Sequence, residues 1–242
     1  MIGDNNPLIR ALARRDSVSS DERALIEKWR SRIREVSEDT ELVAEGSHPT
    51  ESCLILEGFA ARCQYLDEGK RQLTAIHIAG DFVDLHSLLL KVMDHSVITL
   101  SRCRVALIPH DVLRATVSES PHLGRLLWLL TVIDGAIQRA WITCMGRRSA
   151  QAHLAHLICE LYLRLETVGL AKEYTFEFPA TQTEIADMVG LSAVHANRMV
   201  QELRARNLIT WQRTTITIKH FSKLAELAQF DPTYLNLVNK PR

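Results

Sequence analysis

Apolar positions change their period twice between the start of this chain and about Val168. From Pro7 to Arg15, and again from Ser19, they recur at helical spacing, with Glu22 in capping-box position after Ser19. Between about Thr40 and Ile108 the texture becomes that of strands. The runs Thr40–Ala44, Cys53–Leu56, Phe59–Leu66, Gln72–Ile78, Val97–Leu100 and Arg104–Ile108 are parted by turn signals. Those signals are Glu45-Gly46, Glu57-Gly58, Asp67-Glu68-Gly69-Lys70 and Ala79-Gly80-Asp81. Short strands at such spacing predict a compact antiparallel barrel or jelly roll. After Pro109 the helical period returns and holds to about Val168.

Within that helical stretch, Pro121 to Met145 carries two apolar rows. One holds Leu123, Leu127, Leu130, Ile137, Trp141 and Cys144; the other holds Leu126, Leu129, Ile133, Ala136 and Ala140. Docking on a single domain needs one row, so the second is expected to meet a partner helix. Leu123, Leu127, Leu130, Ile137 and Trp141 are the predicted dimer interface. Asp134 interrupts their row, which argues against a long coiled coil. Gly146-Arg147-Arg148-Ser149 is expected to break the helix, as a hinge or a boundary, with Ser149 capping the next one.

Thr181 to Lys219 is the most informative stretch. Ile185, Met188 and Val189 are spaced to face a core, and Gly190 supplies the left-handed backbone of a sharp turn. Ser192 is a good N-cap for a second helix, in which Met199, Val200 and Leu203 point inward. His195, Asn197, Arg198 and Gln201 point out. A helix with a buried back and a donor-rich front suits the DNA major groove. Arg198 can take the O6 and N7 of guanine, and Asn197 an adenine edge. Ser192 and His195, at the start of that helix, can reach phosphate. Leu208–Trp211 and Thr215–Ile218 then form a β-hairpin around Gln212-Arg213-Thr214, a wing whose Arg213 and Lys219 face the DNA backbone. The fold class is therefore α+β: an N-terminal antiparallel β-roll, a long helix and a C-terminal winged helix-turn-helix. A last amphipathic helix follows Phe221.

Bulk properties refine this little. At 242 residues the chain holds two cored domains, and its 29 basic residues balance 29 acidic ones. Ser192 to Lys223 nonetheless carries Arg198, Arg204, Arg206, Arg213, Lys219 and Lys223 against the single acid Glu202. There is no N-terminal apolar segment of the secretory kind, and no run near the ~18 residues of a spanning helix. A cytoplasmic protein with no membrane partner is expected. Cys53, Cys63, Cys103, Cys144 and Cys159 are scattered without a CxxC pair, so they read as reduced core residues and signal no metal site.

The order of these elements resembles the Crp/Fnr family of bacterial transcription regulators over nearly the whole chain. Gly80-Asp81-Phe82, the run Thr183 to Ser192, Asn197-Arg198 and Asn207-Leu208-Ile209 carry the resemblance. It implies a homodimer joined by the long helices, with two recognition helices on a pseudo-palindrome; it also implies Thr181, with Thr183, beside Ser192 and His195 as phosphate contacts and Arg198 as a base reader, and RNA polymerase is a further candidate partner. Expected domains are a sensory roll over 1–120, a dimerisation helix over 121–146 and a DNA-binding domain over 147–242. Ala193 and Val194 replace the arginine and glutamate of many relatives, so their usual half-site is in doubt, and Val194 can touch a thymine methyl instead.

The effector side departs further. Relatives that bind cyclic nucleotides carry Gly-Glu soon after Gly-Asp-Phe and an Arg-Ser pair later. Here the chain continues Val83-Asp84-Leu85, and the later pair is His95-Ser96. Without the bidentate phosphate partner, cyclic AMP is disfavoured. Cysteines near the N-terminus, which hold the iron–sulfur cluster of the oxygen-sensing branch, are missing. Carbon-monoxide-sensing haem regulators resemble the stretch from Gly80 to Ser87 and place a haem ligand at the position of His86, but Asp84 replaces their switching cysteine. Asp84, His86, His95 and Ser96 are the candidate effector pocket, its ligand unknown. A cupin-like metal enzyme fused to a DNA-binding module is the alternative of another class. Its His-x-His pattern is absent from the roll, so no catalysis is expected.

Overall fold

The computed structural model describes residues 6–29 and 32–242. It parts into two compact units, one of residues 1–64, 76–135 and 236–242, the other of residues 65–75 and 136–235. One division between them falls inside a helix, between residues 135 and 136.

In the first unit, helices α1 (Pro7–Ala13) and α2 (Ser20–Lys28) lead in. The Ser19/Glu22 capping box forms as the spacing predicts, satisfying orphan donors at the start of α2. Six strands follow in two antiparallel sheets. One orders β1 (Ile33–Val36), β7 (Cys103–Pro109) and β3 (Glu51–Glu57); the other orders β2 (Glu41–Val43), β6 (Ser96–Thr99) and β4 (Ala60–Tyr65), while a further strand, β5 (Arg71–His77), has its residues 71–75 in the second unit. Strand β3 is buried from Ser52 to Leu56 without alternation because both its faces are covered. Cys53 and Ile55 join the cluster holding Val83, Val97 and Val105, whereas Leu54 and Leu56 join Leu8, Leu12, Ile26 and Leu113. Gly80, at φ +95°, lies so close to α1 that a Cβ would stand 2.8 Å from the Pro7 carbonyl oxygen; only glycine fits.

Helix α3 (His110–Glu119) leads into α4 (Pro121–Arg147). Helix α4 runs through Gly146 unbroken, so the expected break is displaced to Arg148-Ser149, where Ser149 caps α5 (Ala150–Thr167). A glycine in a helix costs only about 1 kcal/mol, too little to end one that neighbouring residues hold in place.

The predicted dimer residues are not a free surface. Leu123 and Leu127 are buried in the first unit's core with Leu130 packed against it, and Ile137 and Trp141 are buried in the second unit, Ile137 to 6 % exposure. The first row is largely spent within the chain, whereas in the second Leu126 and Ile133 are buried and Leu129, Ala136 and Ala140 are half-buried. The exposed apolar side chains of α4 are instead Trp128 (71 %), Val132, Ile142 (69 %) and Met145.

In the second unit the interior of α5 is buried almost throughout. Its Glu160 carboxylate, fully buried, accepts Trp141 Nε1–H at 3.1 Å, Arg164 Nη1–H at 3.1 Å and Tyr234 O–H at 2.7 Å. Burial raises the Glu160 pKa, and these donors with the Arg164 charge oppose that rise. His153 and His156 lie in the same helix and are both buried; burial pushes them down to about 4 and about 3, so both are neutral packing residues at ordinary pH. Residues 65–75 belong to this unit: Arg71 Nη2 lies 2.8 Å from Asp187 Oδ2, and Gln72 Nε2–H donates to the Asp187 carbonyl at 2.6 Å. All five cysteines are buried and free.

Candidate nucleic-acid interface

Two helices and a small sheet build the surface. Helix α6 (Gln182–Val189) starts at Thr181, whose side chain closes a capping box with Glu184. Thr181 N–H and Oγ1–H both donate to Glu184 Oε2, at 2.6 and 2.8 Å, while Thr181 Oγ1 accepts the Glu184 N–H. Both of its donors are thus engaged by its own helix, so a phosphate at Thr181 must compete with the cap. Gly190 turns the chain at φ +67°, in the left-handed region anticipated for it.

Ser192 caps α7 (Ala193–Ala205), accepting the His195 N–H at 3.3 Å. The buried back of α7 is Ala196, Met199 and Leu203; Val200, expected with them, is only half-buried. Ala196 takes the inward place because it falls three residues before Met199, while Val200 sits at the edge of the buried stripe. On the front, Val194 is 83 % exposed, Arg198, Gln201 and Thr183 are exposed, and His195 and Asn197 are half-buried. Arg198 Nε lies 3.9 Å from Glu202 Oε1, a solvent-exposed pair worth a few tenths of a kcal/mol and readily given up to a base.

Strands β10 (Ile209–Gln212) and β11 (Thr215–Ile218) form the expected hairpin, with Trp211 opposite Ile216. Behind it stand β9 (Thr175–Glu177) and β8 (Ala171–Lys172), which sequence periodicity missed because runs of two and three residues show no alternation. Strand β9 matters to the wing. Glu177 accepts Thr214 Oγ1–H at 2.5 Å and Thr215 Oγ1–H at 2.6 Å, holding the hairpin tip. At that tip Arg213 is exposed, with φ +53°, a conformation that costs a side-chain-bearing residue about 1 kcal/mol. Lys219 is exposed as well, its backbone N–H bonded to the Leu208 carbonyl. Asn197, Gln201, Arg204, Trp211 and Arg213 line a hollow of about 260 Å³ between recognition helix and wing.

The predicted effector residues separate into two pairs. Asp84 is buried and accepts the Cys53 N–H at 2.7 Å; burial lifts its carboxyl to about 7 despite that bond. Ser96 is buried and accepts the Glu45 N–H at 3.0 Å. Both serve the backbone. His86 and His95 lie together, ring centroids 5.2 Å apart, near Arg62. Arg62 and Asp94 carried no signal in the sequence, since they come from other segments than the motif.

Comparison with known proteins matches two families. Residues 33–120 match the cyclic nucleotide-binding domain, and residues 152–227 match the Crp-like helix-turn-helix domain. A probable transcriptional activator of Rhizobium leguminosarum bv. viciae is 28 % identical over 178 residues, 73 % of this chain and 72 % of the relative. The transcriptional activator protein FnrL of Cereibacter sphaeroides is 25 % identical over 182 residues, again 73 % of this chain and 72 % of the relative. Among solved structures, FixK2 from Bradyrhizobium japonicum superposes with a TM-score of 0.72 at 19 % identity, covering 81 % of this chain and 96 % of that one.

Proposed function

The chain belongs to the Crp/Fnr family of transcription regulators, and from that premise we propose that it works as a homodimer reading a pseudo-palindromic promoter site. Each protomer lays α7 in one major groove, with Arg198 on guanine, Asn197 on an adenine edge and Val194 against a thymine methyl. Thr183, Ser192, His195, Arg213 and Lys219 hold phosphates, and Thr181 joins them where its cap can be shared.

One observation carries this reading. A helix whose back is closed by Ala196, Met199 and Leu203 presents Val194, Asn197 and Arg198 beside a braced hairpin with a basic tip. Nothing in the packing of α7 requires this set of side chains, one apolar and two polar; a groove does.

The dimer forms through α4, on the stripe of Trp128, Val132, Ile142 and Met145. Four exposed large apolar side chains on one helix are costly in water and are what a partner helix buries. The roll serves as the sensory domain and performs no catalysis. The protein acts in the cytoplasm on double-stranded DNA, with RNA polymerase as a further contact; no described helix is long and apolar enough to cross a membrane.

Selection of bound sequences from a random duplex library by the purified protein tests the reading. Enrichment of an inverted repeat with half-sites about one helical turn apart is expected. Enrichment of an unpaired half-site would remove the dimer, and no enrichment would remove sequence-specific recognition.

A further inference from the structure

A cluster of side chains in the β-roll has no part in DNA binding. His86, in the one-turn helix Leu85–Leu88, Asp94 and His95 each offer a ligand atom, and those atoms lie within 4.8 Å of one another. The three come from either side of the loop between that turn and β6, so they converge through the fold and not through sequence spacing.

The chemistry of the cluster is specific. His95 lies 2.7 Å from Asp94, Nδ1 to Oδ1. An ionised carboxylate only accepts, so Nδ1 carries the proton and Nε2 of neutral His95 is left with its lone pair. That Nε2 is buried and has no hydrogen-bond partner among the described residues, and the same is true of His86 Nε2. His95 as a whole is 95 % buried. Two buried ring nitrogens without partners are expensive for a fold to keep. Asp94 is exposed, which leaves a route in from solvent.

The surrounding charge decides what suits the cluster. Besides its neighbour His95, the charged groups acting on His86 are Arg62 on one side and Asp94 and Asp134 on the other. Arg62 is already joined to Asp134 at 2.9 Å. One cation against two carboxylates leaves net negative charge, which repels an anion and suits a divalent cation.

We propose that His86, His95 and Asp94 bind one divalent first-row transition ion of the zinc or nickel class. Imidazole nitrogens favour such ions over calcium or magnesium, which take oxygen. His86 and His95 are direct ligands. Asp94 either completes the set or orients His95 in a carboxylate–histidine–metal arrangement. Ring nitrogens across a tetrahedral zinc stand about 3.3 Å apart, from bond lengths of about 2.0–2.1 Å, so rotation of the two rings closes the site without moving strands. Two or three protein ligands leave coordination positions open for a small molecule.

The test uses the full-length, tag-free protein, stripped with chelator and titrated with zinc or nickel chloride in a calorimeter, without DNA. One ion per chain is expected. His95→Ala and His86→Ala should each weaken binding more than about 100-fold, and Asp94→Asn about 10- to 100-fold. His220→Ala, at an exposed histidine of the other unit, should leave it unchanged. X-ray absorption of the wild-type protein loaded with zinc should show two imidazoles at about 2.0–2.1 Å, which needs no variant to fold. Less than stoichiometric uptake, binding unaffected by both histidine variants, or a spectrum without imidazole would overturn the site. A stoichiometric haem absorption band on the protein as purified would also overturn it, giving His86 a different partner. These readouts are independent of promoter recognition, so the failure of either reading leaves the other standing.

Discussion

Arg62 donates from Nη2 to Asp134 Oδ2 at 2.9 Å, joining β4 of the roll to α4. The arginine side chain is 7 % exposed and the aspartate 33 %. This pair explains why a carboxylate interrupts the apolar row of the long helix: it faces a buried guanidinium.

Replacing Asp134 with alanine leaves the Arg62 charge buried without its carboxylate. We expect a loss of about 2–4 kcal/mol, nearer the lower figure because Asp134 is partly solvated. The double variant Arg62→Met with Asp134→Leu should recover most of it, since no unpaired charge remains. Urea denaturation of the wild type and the two variants gives the comparison. Equal losses in the single and double variants would mean that packing, not charge pairing, holds this spot.

Arg198→Ala should cost about 1–3 kcal/mol at the specific site and far less on scrambled DNA, because a base contact is lost. Arg213→Ala or Lys219→Ala should weaken both duplexes alike and lower the salt slope by about 1. Fluorescence anisotropy across a salt series separates the two classes. If Arg198→Ala keeps the ratio of specific to non-specific affinity, base reading lies elsewhere on α7.

On α4, burial divides charge substitutions into two outcomes. Trp128→Glu and Ile142→Glu alter exposed positions and should yield a folded monomer with weakened affinity for a two-half-site operator. Ile137→Glu places a charge in the protein's own core and should lose the fold, at several kcal/mol. Light scattering with circular dichroism distinguishes them. A dimer surviving in both exposed variants would move the interface off this helix.

By the family resemblance, Leu85 and His95 take the positions from which a carboxylate and an arginine hold the ribose and phosphate in relatives that bind a cyclic nucleotide. Millimolar cyclic AMP or cyclic GMP should therefore leave the melting temperature unchanged. A ligand bound at a hundredfold excess over its dissociation constant would add about 2.7 kcal/mol, which a thermal-shift titration detects readily. An upward shift with either nucleotide would return the roll to that class of sensor.

His122 should give the first unit a pH dependence. Its Nδ1 lies 2.7 Å from Glu22 Oε1 and its Nε2 3.2 Å from Asp16 Oδ2, so both ring nitrogens donate in the imidazolium form. The Glu22 bond, with help from Asp16, raises the His122 pKa above its ordinary 6.5 against the effect of burial. A raised histidine stabilises fully below its unfolded value and loses that contribution as pH climbs through the folded one. The stability gap between wild type and His122→Gln should thus be largest near about pH 6 and shrink toward alkaline pH. A gap independent of pH over that range would mean that His122 is neutral in the fold.

What could be read in advance depended on range. The helix-turn-helix was legible because the cap at Thr181, the turn at Gly190 and the cap at Ser192 are decided within a few residues of themselves. Strands β1, β8 and β9 were not, since Ile33–Val36 is mostly exposed and the other two are too short to show a period. On α4 periodicity marked two apolar rows correctly but could not say which would be claimed by the chain itself. Trp128 and Ile142, the most exposed large apolar residues there, lie in neither row. In the roll, the partnering of Arg62 with Asp134, and of His86 with Asp94 and His95, depends on strand order, which no local signal states.

Arg213 keeps a left-handed backbone at the tip of the wing, where glycine would sit at ease. Selection for thermal tolerance and selection for promoter occupancy should therefore pull this position apart. A library screened only for heat resistance should drift toward Arg213→Gly, gaining stability of the order of 1 kcal/mol while giving up a charge on the DNA backbone. On the proposed phosphate contact, an arginine at the wing tip trades robustness of the fold for occupancy of DNA.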